Sequence, residues 1–225
     1  MKRRAFTHVA AGAALSAAGT WSTLAHAQAK KPRAGTDYQV LDPRALVEAP
    51  AGKIEVVEFF WYNCPHCNAF EPALQAWIKN LPKDVSFRRA PIAFQESFVP
   101  QQRLFYTLEA MGLVPKLHAK VFAAIHDEKQ NLARPEAIVE WISRQGVNRE
   151  QFVAQYNSFT VATKAGKALQ LQNAYKVEGV PALGVAGRFY TDGSMAGNMQ
   201  RALQVVDALI ADQRAGRAAN TPAPR

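Results

Sequence analysis

Ile54-Glu55-Val56-Val57-Glu58-Phe59-Phe60-Trp61-Tyr62-Asn63-Cys64-Pro65-His66-Cys67 holds the only two cysteines of this 225-residue chain. Residues 54–60 are rich in β-branched and aromatic side chains and read as a buried central strand. Beyond the cysteines, Phe70, Leu74, Trp77 and Leu81 recur at helical spacing and mark an amphipathic helix. Pro65 falls just inside the helix start, where a missing N–H is not needed, and Pro72 should kink the helix it interrupts. The thiols therefore sit on a strand–turn–helix, with Cys64 at the helix N-terminus and Cys67 one turn in.

A disulfide between residues three apart closes so short a loop that it stabilises very little, so the pair is read as chemistry rather than stapling. A thiolate attacks a disulfide, and a low pKa makes it the better leaving group. At a helix N-terminus Cys64 would feel unsatisfied N–H groups and the positive dipole end, and His66 adds a donor or, when protonated, a positive charge. Both favour the anion, stabilise the dithiol and make the disulfide an oxidant. Cys64 is then the attacked sulfur and Cys67 the less exposed, resolving thiol. Glu58 spoils an otherwise apolar strand. It is either an outward-facing acid or a costly buried carboxylate in a strand covered on both faces. Buried without a partner, its pKa would rise by desolvation and it would serve as a proton relay. A C-x-x-C pair can also be half of a zinc site. The ligands still needed would have to come from His66, His118 and His126. The last two read as surface histidines, so neither metal nor any other cofactor is expected.

Val85 to Arg89 is a second short strand. From about 98 to 176 the pattern is helical only, with stripes at Leu104, Leu108 and Met111; at Leu117, Val121 and Ile125; at Ile138, Trp141 and Ile142; at Phe152 and Tyr156; and at Ala165, Leu169 and Leu171. Strand character returns at Ala182 to Val185 and at Arg188 to Tyr190, joined through Ala186-Gly187 as a tight hairpin. A closing helix carries Leu203, Val206 and Ile210. Gly179-Val180-Pro181 leads into the returning strand, and a cis Val180–Pro181 bond is uncommon on frequency alone. The order gives a βαβ unit and a ββα unit separated by a helical insertion, an α/β fold with a small mixed sheet. Residues 28–36 and 215–225 read as disordered ends.

Residues 1–27 read as an export signal: basic Lys2, Arg3 and Arg4, an alanine-rich apolar run from Val9 to Ala18, and a cleavage pattern ending at Ala27, with the cut before Gln28. Arg3-Arg4-Ala5-Phe6 loosely resembles a twin-arginine signal, and a general secretory signal fits equally. Removing this segment lowers the formal charge from +9 to +6 and leaves about 198 residues. No basic patch interleaved with aromatics is present in the sequence, so nucleic acid is not expected as a partner. An exported, oxidising compartment lets the cysteines cycle as a disulfide.

Val57-Glu58-Phe59-Phe60, Cys64-Pro65-His66-Cys67 and Phe70-Glu71 resemble the DsbA thiol:disulfide oxidases of the bacterial periplasm. So does Gly179-Val180-Pro181-Ala182 followed by Gly187-Arg188-Phe189, and the likeness runs over roughly Tyr38 to Gln213. A depressed cysteine pKa and an oxidising potential are known properties of that family, not inferences from this chain. The resemblance implies a thioredoxin fold with an inserted all-helical domain. It also implies that Pro181 is a cis-proline facing the disulfide, that Val180 offers backbone to an extended substrate, and that Glu58 is the acid that moves protons to and from Cys67. Trp61-Tyr62-Asn63 departs from the residues usual there, and Pro72 matches a helix-kinking proline of thioredoxins.

The resulting expectation is a signal over 1–27, a thioredoxin-like domain over 37–96 and 177–213, a helical domain over 97–176 and a flexible tail from 214. The protein is expected to be a monomeric periplasmic oxidase that gives its Cys64–Cys67 disulfide to reduced secreted proteins. By resemblance, a DsbB-like quinone-linked membrane protein reoxidises it. A reductase or isomerase is the nearest alternative, although isomerases of that compartment are usually dimers and 28–50 is short for a dimerisation segment. A redox-inert chaperone or metal-binding scaffold is the more distant one.

Overall fold

The computed structural model describes residues 31–219. The expected signal, with its cleavage between Ala27 and Gln28, lies outside them, as do residues 220–225. The centre is β2 (Ile54–Phe60), every residue of which is buried. It pairs in parallel with β3 (Val85–Pro91), which places Glu58 opposite Arg89, and antiparallel with β4 (Ala182–Val185). β5 (Phe189–Asp192) pairs with β4, and β1 (Gln39–Val40), a strand the sequence pattern did not mark, pairs with β5. The sheet order is β1-β5-β4-β2-β3, so β1 and β3 form its edges.

The expected mixed sheet follows from the covering of both faces. Ile54, Val56, Leu183 and Val185 pack on one face against Phe70 and Leu74 of α1 (Pro65–Lys79) and against Leu203, Val206 and Ile210 of α8 (Met199–Ala219). Val57, Phe59 and Ala182 pack on the other against Leu171 and Tyr175 at the end of α6 (Phe159–Ala174). Five helices stand between β3 and β4: α2 (Val99–Ala110), α3 (Val114–His126), α4 (Pro135–Arg144), α5 (Arg149–Tyr156) and α6. They share a core of Leu104, Leu108, Leu117, Val121, Trp141 and Phe152, which continues into Phe60, Tyr62 and both cysteines. The redox motif thus lies at the seam between the sheet and the helical insertion. A single turn, α7 (Gly193–Ala196), precedes α8.

Several local expectations need correction. The α6 stripe is Val161, Ala168, Leu171 and Gln172, while Leu169 is exposed because it lies about 100° round the helix from Ala168. Residues 31–36 are ordered: the Arg33 N–H donates to Asp37, Ala34 bridges to Tyr38, and Thr191 donates to the Asp37 carbonyl at 2.7 Å. The tail expected from 214 is helical through Ala219, where Arg214 anchors α8 to Asp84 with bonds of 2.6 and 2.7 Å. Pro72 lies inside α1, which is helical on both sides of it, so the kink expected there does not end the helix. The hairpin turn forms at Ala186 and Gly187, both left-handed at φ 53° and 67°, and its second strand begins one residue later than the sequence pattern suggests.

Gly184 lets the Tyr175 ring lie flat against β4: a Cβ there would come 2.3 Å from that ring and 2.8 Å from Val57. Tyr175 is also tilted on Phe59 and accepts the Gly187 N–H at 3.0 Å. Gly184→Ala must displace that ring, and overpacking of this kind costs about 1–3 kcal/mol. Denaturant melts check it; a loss under about 0.5 kcal/mol would place the change among neutral surface substitutions.

Candidate active site

Cys64 is the N-cap of α1, with extended backbone, and its sulfur accepts the Cys67 N–H at 3.4 Å. Both cysteines carry free thiols in this structure. A hydrogen bond from the Cys67 thiol outweighs burial and, with the backbone N–H groups of Cys67 and His66, lowers the Cys64 thiol from 9.0 to about 6. The His66 charge is the smallest of these contributions, and its ring is exposed. The Cys67 thiol dominates, the backbone N–H groups of the helix start come after it, and the histidine side chain adds least. Cys67 is fully buried. Burial pushes its thiol far up, reinforced by its donation to Cys64 and by the charges of Cys64 and Glu58. One turn of helix thus holds one sulfur suited to be a stable anion and one that must take a proton whenever it leaves.

The loop before β4 faces this pair. The Val180–Pro181 peptide is cis, and the Val180 carbonyl accepts the Cys64 thiol at 3.4 Å. A groove of about 310 Å³ lies alongside, lined by His66, Val180, Pro181, Asp192 and Met199. Trp61 stacks on Phe98 at 3.8 Å and ties the turn before Cys64 to the start of the insertion.

Beneath the cysteines lies a buried polar cluster. Glu58 is 1 % exposed, but it is not without a partner as the sequence suggested: Arg89 Nε donates to it at 2.8 Å. The same guanidinium donates to both oxygens of Glu71 at 2.9 and 3.1 Å, and Gln75 donates to Glu71 at 2.6 Å. One cation thus serves two carboxylates. Burial, eased by Arg89 but aggravated by the charge of Glu71, pushes Glu58 up to about 8. Burial acts on Glu71 too, but His118, Arg89 and Gln75 together outweigh it and hold that carboxyl below 4.5.

His118 and His126 are not the surface histidines the sequence suggested. His118 is buried among Phe60, Phe105 and Phe122, with Nδ1 2.8 Å from the Tyr62 hydroxyl and Nε2 3.4 Å from Glu71. His126 Nε2 lies 2.8 Å from the Tyr62 carbonyl, where it donates. Among the described residues no group of three or more His, Cys, Asp or Glu is placed to hold a metal ion.

Sequence reasoning singled out Cys64, Cys67, His66, Pro65, Glu58, Val180 and Pro181, and the structure brings all of them to this region. It passed over Arg89, took His118 for a surface residue, and noted Tyr62 and Glu71 only as parts of motifs. No local signal pointed to Arg89, because the parallel register that sets it opposite Glu58 is visible only in the fold.

The DSBA-like thioredoxin domain family model matches residues 55–204. The thiol:disulfide interchange protein DsbA of Azotobacter vinelandii is 42% identical over 215 residues, covering 95% of this chain and 99% of that protein. The protein of the same name from Pseudomonas aeruginosa is 43% identical over 189 residues, covering 84% and 89% respectively. A crystal structure of Pseudomonas aeruginosa DsbA matches with a TM-score of 0.79 at 42% identity, covering 83% of this chain and 97% of that one.

Proposed function

The chain belongs to the DSBA-like thioredoxin domain family, and on that footing we propose that it works in the bacterial periplasm through a Cys64–Cys67 disulfide given to reduced secreted proteins. It is a thiol:disulfide oxidoreductase that introduces disulfide bonds. The contrast between the two sulfurs carries the residue assignment: one thiol lowered to about 6 beside a buried one pushed up.

A substrate segment lies extended in the groove beside Val180 and Pro181. Its thiolate attacks Cys64 Sγ; the S–S bond breaks and its electron pair leaves on Cys67, which takes a proton from Glu58. The second substrate thiol then gives up its proton and attacks the substrate sulfur of the mixed disulfide, releasing Cys64 as the thiolate. Two electrons have passed to the enzyme and the substrate holds the disulfide. A quinone-linked membrane oxidase of the DsbB kind restores the Cys64–Cys67 bond, and Glu58 takes back the Cys67 proton. Among the described residues no helix is long and apolar enough to cross a membrane. Alkylation trapping of the protein in its native compartment tests the direction: a mainly oxidised pair supports donation, and a mainly reduced pair assigns a reductase or isomerase.

Glu58→Gln keeps the shape and removes the proton. Disulfide exchange should slow by about a hundredfold, the low end of what general acid–base groups contribute. The effect on stability has the opposite sign. A carboxyl raised from 4.5 to about 8 stabilises the fold fully below 4.5 and loses that contribution as pH rises to about 8. The Gln variant should therefore gain on the wild type across that window. Stopped-flow kinetics and melts against pH check both, and unchanged kinetics would remove Glu58 from the proton path.

A further inference from the structure

His118 is the buried group that the exchange chemistry above leaves unused. Its Nδ1 accepts the Tyr62 hydroxyl, which burial holds protonated. With the Tyr62 hydroxyl as donor the ring proton sits on Nε2, which faces Glu71 at 3.4 Å and makes no hydrogen bond among the described residues. A charged ring is disfavoured there by burial, although Glu71 works against this. The charged groups turned toward it are Glu71 of α1, Arg89 of β3 and, beyond the arginine, Glu58 of β2; Phe60, Phe105 and Phe122 close the other sides.

Arg89 supplies one positive charge to two buried carboxylates. With both ionised, a net negative charge would stay buried, which is costly, so one of the two holds a proton near neutrality. Position relative to the thiols makes the choice matter, because the charge of Glu58 acts on Cys67. We infer that His118 is a positioning residue that selects which carboxylate carries the mobile proton. The positive end of its Nε2–H, 3.4 Å from the carboxylate, together with the donating Gln75 amide holds Glu71 as the anion and leaves the proton on Glu58. The inference rests on the relay reading of Glu58 above and adds the group that sets it.

Site-resolved carbon NMR of the glutamate carboxyls in the reduced protein tests this directly. In the wild type Glu58 should titrate at about 8 and Glu71 below 4.5. In His118→Phe the Glu58 midpoint should fall by about one pH unit while that of Glu71 rises, and the pH profile of disulfide exchange should follow Glu58 downward. His118→Gln, which keeps an N–H donor, should restore the wild-type curve. Gln75→Leu, on a partly exposed helix face, removes the other donor to Glu71 and should shift Glu58 the same way even if His118→Phe fails to fold. A Glu58 midpoint unmoved by the loss of either donor overturns the selector role and leaves the relay standing. A wild-type Glu58 already ionised at neutral pH overturns both.

Discussion

Cys67→Ala protein produced in an oxidising compartment should carry other proteins as mixed disulfides, while Cys64→Ala should carry none and lose disulfide transfer altogether. The asymmetry follows from burial. Cys64 lies at the helix start, with Val180 and the groove beside it, whereas Cys67 is 0% exposed and has no approach for an outside sulfur. In the wild type an adduct at Cys64 is resolved by Cys67 or by the second substrate thiol. Removing Cys67 closes the first route, and substrates with one reactive thiol then stay attached. Cys67→Ala also opens a small cavity but leaves the N–H donors to Cys64 in place, so the fold should survive. Non-reducing gels followed by reduction read the result, and adducts accumulating through Cys67 in Cys64→Ala would exchange the roles of the two sulfurs.

The reduced protein should be more stable than the oxidised one near neutral pH, by an amount that grows as pH rises from about 6 to 9. The sign follows from linkage. The Cys64 thiol falls from 9.0 to about 6 on folding, so its contribution is fully present above 9.0 and is lost as pH falls through about 6. The whole shift corresponds to about 4 kcal/mol, and solvent screening at this partly open site brings it to about 2 kcal/mol. Cys67 acts in reverse: its thiol is raised by folding, so it subtracts stability above 9.0. The advantage of the reduced form should therefore crest near pH 9 and vanish near pH 6. The disulfide forfeits the thiolate's hydrogen bonds, and closing so short a loop returns little. Paired denaturant melts of the two redox forms decide it; an oxidised form of equal or greater stability at neutral pH would refute the thiolate argument.

Most of the fold was legible because its signals are local. Residues 54–60 combine β-branched and aromatic side chains, Ala186-Gly187 marks a turn by composition, and the helical stripes repeat at fixed spacing. β1 was missed because two residues carry no period, and its existence depends on β5 arriving from 150 residues away. The C-terminal helix runs past 214, and there Arg214 reaches Asp84, a partner that composition does not show. In the site, the cysteine pair and its place at a helix start could be read from the strand–turn–helix pattern. The polar cluster beneath them could not, since Arg89, Glu71 and His118 come from a strand and two helices and each looks like an ordinary surface residue in its own segment. Only the register and the packing of α1 and α3 bring them onto one another.

The sheet's two rims bear on the company this enzyme keeps. The clients proposed above are reduced secreted proteins, and any open strand on the enzyme would invite an unpaired backbone to zip onto it. One rim is β1, two residues long and closely followed by Pro43. The other is β3, which carries Arg88 and Arg89 and stops at Pro91. Short length, charge and proline are the usual deterrents to strand addition, so the protein can hold a polypeptide at a single sulfur without becoming the seed of an aggregate.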